Sequence, residues 1–161
     1  MRFPGGGILP VAEMHRGRER VLAMSVPGNV ARRAASRRSI RLATGEAGLA
    51  MARRFAVRAT VAAGWEDHVD DVVLLISELA TNAVLHGERP IALTVEAGGD
   101  RLRVEVEDAG TGMPLELDLG PEIEGGRGLV IVEAVADEWG AERVAGNGKV
   151  VWAELRDDDG P

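Results

Sequence analysis

Ser77-Glu78-Leu79-Ala80-Thr81-Asn82-Ala83-Val84-Leu85-His86-Gly87 lies at the end of a longer periodic stretch. Val69, Val73, Ile76, Ala80 and Ala83 recur there at three- and four-residue steps, the spacing of an amphipathic helix. Glu66 and Asp67 suit the positive N-terminus of such a helix and Gly87 stops it, so the spacing predicts a helix from about 66 to 86. Glu78 and Asn82 stand four apart, sharing one face about 6 Å along the axis, and His86 continues that row. A carboxylate and a carboxamide so placed can divide labour, the amide oxygen taking a hard cation and the carboxylate orienting or deprotonating a hydroxyl. The same pair equally describes two side chains opposite the apolar stripe that simply face water.

Outward from this helix the chain alternates helices with period-two runs. On the N-terminal side, Ser39 to Ala43 reads as a short strand with Ile40 and Leu42 on one face. Gly45 breaks it, and Leu49, Ala52, Ala56, Ala59 and Ala63 then give a second amphipathic helix ending near Gly64. On the C-terminal side, Ile91, Leu93, Val95 and Leu102, Val104, Val106 flank Gly98-Gly99-Asp100 as a half-buried β-hairpin. Residues 109–127 are rich in Gly, Pro and acids and read as a loop, after which Leu129, Val132, Val135 and Ala136 resume a helical period. Trp139 to Val144 and Val150 to Leu155, joined through Gly146-Asn147-Gly148, form a second hairpin. The expected fold is a two-layer α/β sandwich, a mixed, mostly antiparallel sheet covered on one face by three helices. No internal repeat is visible.

Two further segments can carry chemistry. Asp108-Ala109-Gly110-Thr111-Gly112 follows a strand, placing a fixed acceptor beside a glycine-rich backbone that can turn close against a flat ligand. Asp and Gly also favour turns for purely local reasons. Gly125-Gly126-Arg127-Gly128 opens the third helix, where free N–H groups, glycine and an Arg make an anion site suited to phosphate. Helix starts flanked by glycine are also common without any ligand.

Composition removes several classes of function. The 161 residues argue for one domain of ordinary size. With no Cys and only His15, His68 and His86, there is no disulfide framework, thiolate metal site or histidine cluster. Five aromatic residues, Phe3, Phe55, Trp65, Trp139 and Trp152, are too few for a base-stacking platform. There is no P-loop, Rossmann fingerprint, kinase H-R-D or D-F-G set, or G-x-S-x-G elbow. Residues 1–38 carry eight Arg against two acids, leaving eleven basic and twenty-four acidic side chains for 39–161, so a head of +6 stands on a body of −13. The head buries too little apolar area to offset its ordering entropy and is expected to be a disordered extension. Its Arg32, Arg33, Arg37 and Arg38 could touch nucleic acid or an acidic partner, but a solvated tail, or a start at Met24, explains them more simply. Eighteen Arg against a single Lys points to a GC-rich genome. The early apolar run Ile8 to Ala12 is far short of a signal h-region or the roughly 20 residues that span a bilayer, so a soluble cytoplasmic chain is expected.

The order of the three segments says more than each alone. Glu78-x-x-x-Asn82 on a helix, Asp108-x-Gly110-x-Gly112 after a hairpin strand and Gly126-Arg127-Gly128-Leu129 opening a helix closely resemble the N, G1 and G2 boxes of the histidine-kinase-like ATPase (GHKL, Bergerat) fold. Within it, the stretches 77–87 and 126–132 look most like small bacterial anti-sigma-factor serine kinases. Gly148-Lys149-Val150-Val151-Trp152 is similar to the final strand of stand-alone actinobacterial members. The resemblance covers residues 39–156, leaving the basic head and an acidic tail, 157–161, outside it.

Carried across, the resemblance implies a site for ATP and Mg²⁺. Asn82 would ligate the Mg²⁺ bridging the phosphates, and Glu78 would be the general base or position the attacking hydroxyl or water. Asp108 would accept a hydrogen bond from the adenine amine, and Gly110 and Gly112 would admit the base and sugar. Gly126, Arg127, Gly128 and the adjoining Leu129 would form the phosphate-binding helix start, with 113–125 as a lid. The implied function is a serine/threonine protein kinase that regulates transcription by partner switching, binding a sigma factor and phosphorylating an anti-anti-sigma (STAS-type) protein. The alternative is a non-catalytic ATP-binding regulator whose nucleotide state controls partner binding. A homodimer is left open, and neither a membrane nor direct nucleic-acid contact is expected. A fragment of a two-component sensor is disfavoured, because His86 lies inside the N-box helix and no dimerisation helix pair precedes it.

The sequence departs from the pattern at two places. A Thr often follows the final Gly and bonds the adenine-site carboxylate or its water, but Lys149 and Val150 follow Gly148 here, which weakens the adenine affinity the motif implies. The lid carries Glu116, Asp118, Glu122 and Glu124, which repel a triphosphate unless they point away. Solubility or partner contact is the role expected of them.

Overall fold

A computed structural model describes residues 35–112, 126–144 and 148–157. The basic head up to residue 34, the stretch 113–125, the Gly146-Asn147 turn and the tail from 158 lie outside the described residues. Among the described residues five strands and three helices follow in the order β1 (Ser36–Arg41), α1 (Gly45–Ala62), α2 (Val69–His86), β2 (Ala92–Gly98), β3 (Arg101–Asp108), α3 (Gly126–Val135), β4 (Glu138–Arg143) and β5 (Lys149–Arg156). The sheet order is β1-β2-β3-β5-β4. Helix α3 carries the chain from β3 over to the edge strand β4, and β5 returns between them. All four pairings are therefore antiparallel, where a mixed, mostly antiparallel sheet was expected.

The alternation read in the two hairpins is real. Leu93, Val95 and Ala97 of β2, Leu102, Val104 and Val106 of β3, and Val151, Ala153 and Leu155 of β5 are buried beneath the helices. Ala52, Ala56, Ala59 and Ala63 line the buried side of α1 and the turn after it, letting that helix lie close to its neighbours. The stripe expected of α2 is corrected: Val72, Leu75, Ile76, Leu79, Ala80 and Ala83 are buried, while Val69 and Val73 are only half-buried. This helix packs against α1, α3 and β3 together, so its buried arc is broader than one stripe. A 3-10 turn, Glu66–His68, precedes it.

Strand β1 begins at Ser36 rather than Ser39, so the expected boundary at 38/39 falls inside the sheet. Its pairing with β2 sets Arg37 opposite Glu96, and the guanidinium bonds Glu96 and reaches Glu105. Arg37 thus belongs to the open face of the sheet, where Arg103 also bonds Glu105 and Glu154 and lies over the Trp152 ring. Among the described residues no helix is long and apolar enough to cross a membrane.

Candidate functional site

Asp108 is the last member of the inward-facing series Leu102, Val104, Val106, Asp108 on β3, so its carboxylate turns into the helical layer. Lys149 is the first of the matching series on β5, and the register sets it directly opposite Asp108. Lys149 Nζ donates to Asp108 Oδ1 at 2.9 Å, the two side chains being 9% and 1% exposed. The same oxygen accepts the Gly110 N–H at 2.8 Å and the Glu88 N–H at 3.3 Å. Burying a carboxylate is costly unless charge and donors meet it, and here both do. Oδ2 accepts no hydrogen bond among the described residues.

Three glycines bring the chain this close. A Cβ on Gly110 would stand 2.8 Å from Asp108 Oδ1 and 3.2 Å from Lys149 Nζ. On Gly148 it would meet the Asp108 carbonyl oxygen at 2.7 Å. On Gly87 it would meet the Ala83 carbonyl oxygen at 2.5 Å and Asp108 Cγ at 2.7 Å. Gly87 was read only as a helix stop, yet its absent side chain is what lets the carboxylate lie against the end of α2. Gly112 differs, since a side chain there would meet none of the described residues within 4 Å. The loop after β3 is tied down by Ala109 N–H to Glu88 O at 2.9 Å and by Arg143 Nη1 to Thr111 O at 2.8 Å.

The second half of the site lies between α2 and α3. Glu78 and Asn82 are half-buried and turned toward Gly128 rather than simply facing water. A Cβ on Gly128 would come within 2.8 Å of Glu78 Oε2 and 3.4 and 3.5 Å of Asn82 Nδ2 and Oδ1. Leu129, 3% exposed, anchors the first turn of α3 in the core. The opening N–H groups of a helix lack intrahelical acceptors, so the backbone at Gly126, Arg127 and Gly128 offers donors, and Gly128 stands beside Glu78 and Asn82. The side chain of Arg127 lies outside the described residues. His86 continues the row to the end of α2 and is exposed. Asp108 touches α2 at Gly87 and Gly128 touches it at Asn82, so the two halves sit about 7 Å apart along that helix. Among the described residues no three His, Asp or Glu gather as a metal-binding group.

The architecture is thus an α/β sandwich with polar side chains gathered along α2 between a strand end and a helix start. A pinned carboxylate stands at the end of that helix, and a carboxylate and a carboxamide stand further back along it. The chain belongs to the histidine kinase-like ATPase domain family, which matches residues 42–155. Its fold is like that of the crystal structure of the RsbU and RsbW domains of Rv1364c from Mycobacterium tuberculosis, with a TM-score of 0.56 and 21% identity over 75% of this chain. The match spans only 32% of that longer chain. No curated protein matches the sequence.

Sequence reasoning had brought Glu78, Asn82, Asp108, Gly110, Gly126 and Gly128 forward, and the fold brings Gly128 against Glu78 and Asn82 on α2, and Asp108 with Gly110 to the end of that helix. It had not brought forward Gly87, the Glu88 N–H or the Lys149 ion pair. Lys149 stood out only as a departure from an expected Thr. The period-two series on two paired strands was the signal that could have placed it opposite Asp108.

Proposed function

We propose that the chain binds ATP between Asp108 and the start of α3 and acts as a regulatory serine/threonine kinase of the anti-sigma-factor type. It would hold a sigma factor and phosphorylate a STAS-type antagonist in the cytoplasm. The observation that carries the reading is Asp108: three N–H donors converge on Oδ1, leaving Oδ2 as an acceptor with no hydrogen bond among the described residues. Adenine offers an amine to such an acceptor, whereas guanine carries a carbonyl at that position and cannot donate. The motifs around Glu78 and Gly128, and the fold likeness to a chain carrying an RsbW domain, support the same reading.

The residues present fit Mg²⁺. It takes one or two protein oxygens and keeps several waters, and Asn82 Oδ1 and the Glu78 carboxylate are hard donors beside a cradle that a single Cβ on Gly128 would fill. Asn82 would hold the ion, which when bound supplies neutralisation of phosphate charge. The N–H groups opening α3 bind phosphate oxygens. Glu78 orients the acceptor hydroxyl and takes its proton as that oxygen bonds the γ-phosphorus and the bond to the β–γ bridging oxygen breaks, releasing ADP. The chain's contribution is positioning plus electrostatic stabilisation.

The test is incubation of the purified chain with γ-labelled ATP, Mg²⁺ and its cognate STAS-type protein. Label on a Ser or Thr of that protein is expected. ATP binding with no transferred label contradicts the kinase and leaves a switch in which nucleotide only shapes the partner surface.

A further inference from the structure

Lys149 is the only lysine of a chain with eighteen arginines, and it is nine-tenths buried beside Asp108. An ammonium has three N–H donors. One is spent on Asp108 Oδ1, and no hydrogen bond to another group is present among the described residues. Nζ stands 3.2 Å from where a Gly110 side chain would begin, so glycine at 110 keeps clear the space in front of the ammonium. An Arg would bring a wide planar fork where a compact point donor fits, which is a physical reason for the single departure from Arg.

Asp108 Oδ2 and Lys149 Nζ therefore stand side by side as an acceptor and a donor. Adenine carries the complement on one edge, the N6 amine as donor and N1 as acceptor. Guanine reverses both, with O6 as acceptor and N1–H as donor, so the same placement would set acceptor against acceptor and donor against donor. Resting on the ATP reading above, we infer that Lys149 is a base-reading residue that donates directly to adenine N1 while Asp108 Oδ2 accepts from N6. The departure from Thr is then a substitution of one donor for another, and it strengthens adenine selection rather than weakening it. A role confined to propping Asp108 would leave N1 out of the recognition, and that difference is measurable.

The test compares ATP with 1-deaza-ATP, in which C–H replaces the N1 acceptor, on the wild-type chain and on Lys149→Met. Wild type is expected to bind 1-deaza-ATP about tenfold more weakly than ATP, the loss of a charge-assisted hydrogen bond. Lys149→Met is expected to lose about tenfold for ATP and to bind the two nucleotides alike. Equal affinity of wild type for both nucleotides overturns the inference. So does a variant that weakens both by the same factor, which is what a prop would do. If the variant does not fold, the single lysine decides in the wild-type chain labelled with [¹³Cε]lysine. Its one Cε resonance is expected to shift with ATP and to shift much less with 1-deaza-ATP, and identical shifts overturn the inference. A wild-type chain that binds neither nucleotide refutes the ATP reading itself, whereas ATP binding without sensitivity to N1 refutes only the role of Lys149.

Discussion

Gly87→Ala tests whether the end of α2 and the buried carboxylate are packed as described. Gly87 has φ −87° and ψ 174°, extended backbone open to any residue, so alanine brings no conformational strain. The cost is steric. Its Cβ would lie 2.5 Å from the Ala83 carbonyl oxygen, about 0.8 Å inside the usual carbon–oxygen contact. It would also lie 2.7 Å from Asp108 Cγ, so moving away from one neighbour drives it toward the other. Overpacking of this kind costs about 1–3 kcal/mol, offset by about 0.5 kcal/mol from the stiffer unfolded chain, for a net loss of roughly 1–2 kcal/mol. With a urea slope of about 2 kcal/mol/M the midpoint falls by roughly 0.5–1 M. Tryptophan fluorescence follows it, since Trp65 is 0% exposed in the core. Gly112→Ala, with none of the described residues within 4 Å of its Cβ, is the control and should not lower the midpoint, the stiffer unfolded chain raising it by about 0.25 M. A Gly87→Ala chain that unfolds at or above the wild-type midpoint refutes the packing.

Arg103→Leu should destabilise the fold by about 2 kcal/mol, because Glu154, 3% exposed, keeps only the 3.4 Å contact to Arg101 and Trp152 loses its cation. Burial opposes the Arg103 charge, but hydrogen bonds to Glu154 and Glu105 outweigh it and raise the pKa. Stability from a raised pKa is fully present below the unfolded value and lost only as pH rises through the folded one, so denaturation at pH 6 and pH 9 should show the same loss. Glu78→Gln should keep ATP affinity within about threefold yet lower phosphoryl transfer at least 100-fold, the usual scale for a general base. Unimpaired transfer would remove Glu78 from the chemistry.

The elements legible in the sequence are those whose burial follows a simple period. The hairpin of β2 and β3 and the alanine face of α1 bury alternate or three-four positions, so composition alone marks their faces. Strand β1 was read short because Ser36, Arg37 and Arg38 carry no apolar signal. What makes them strand is the ladder to Ala97, Glu96 and Val95 and the ion pairs of Arg37, which exist only once β2 is beside them. Helix α2 hid its buried arc because three neighbours cover it, and the sequence cannot count neighbours. In the site, each segment was visible as chemistry, but Lys149 and Gly87 matter through contacts with Asp108 across long separations. A buried lysine looks like any surface lysine until the register of β3 and β5 is fixed.

The acidic body gains meaning from the same geometry. A chain at −7 that holds a triphosphate must supply positive potential locally, and the opening N–H groups of α3 do so. The central claim is that Asp108 is the adenine acceptor, and titration calorimetry of ATP with Mg²⁺ into wild type and Asp108→Asn tests it most directly. Asparagine keeps an oxygen for Lys149 but places an amide donor where Oδ2 was and removes the negative charge, so the account predicts a loss of affinity of at least tenfold with the fold retained. Equal affinity in the two proteins would contradict it.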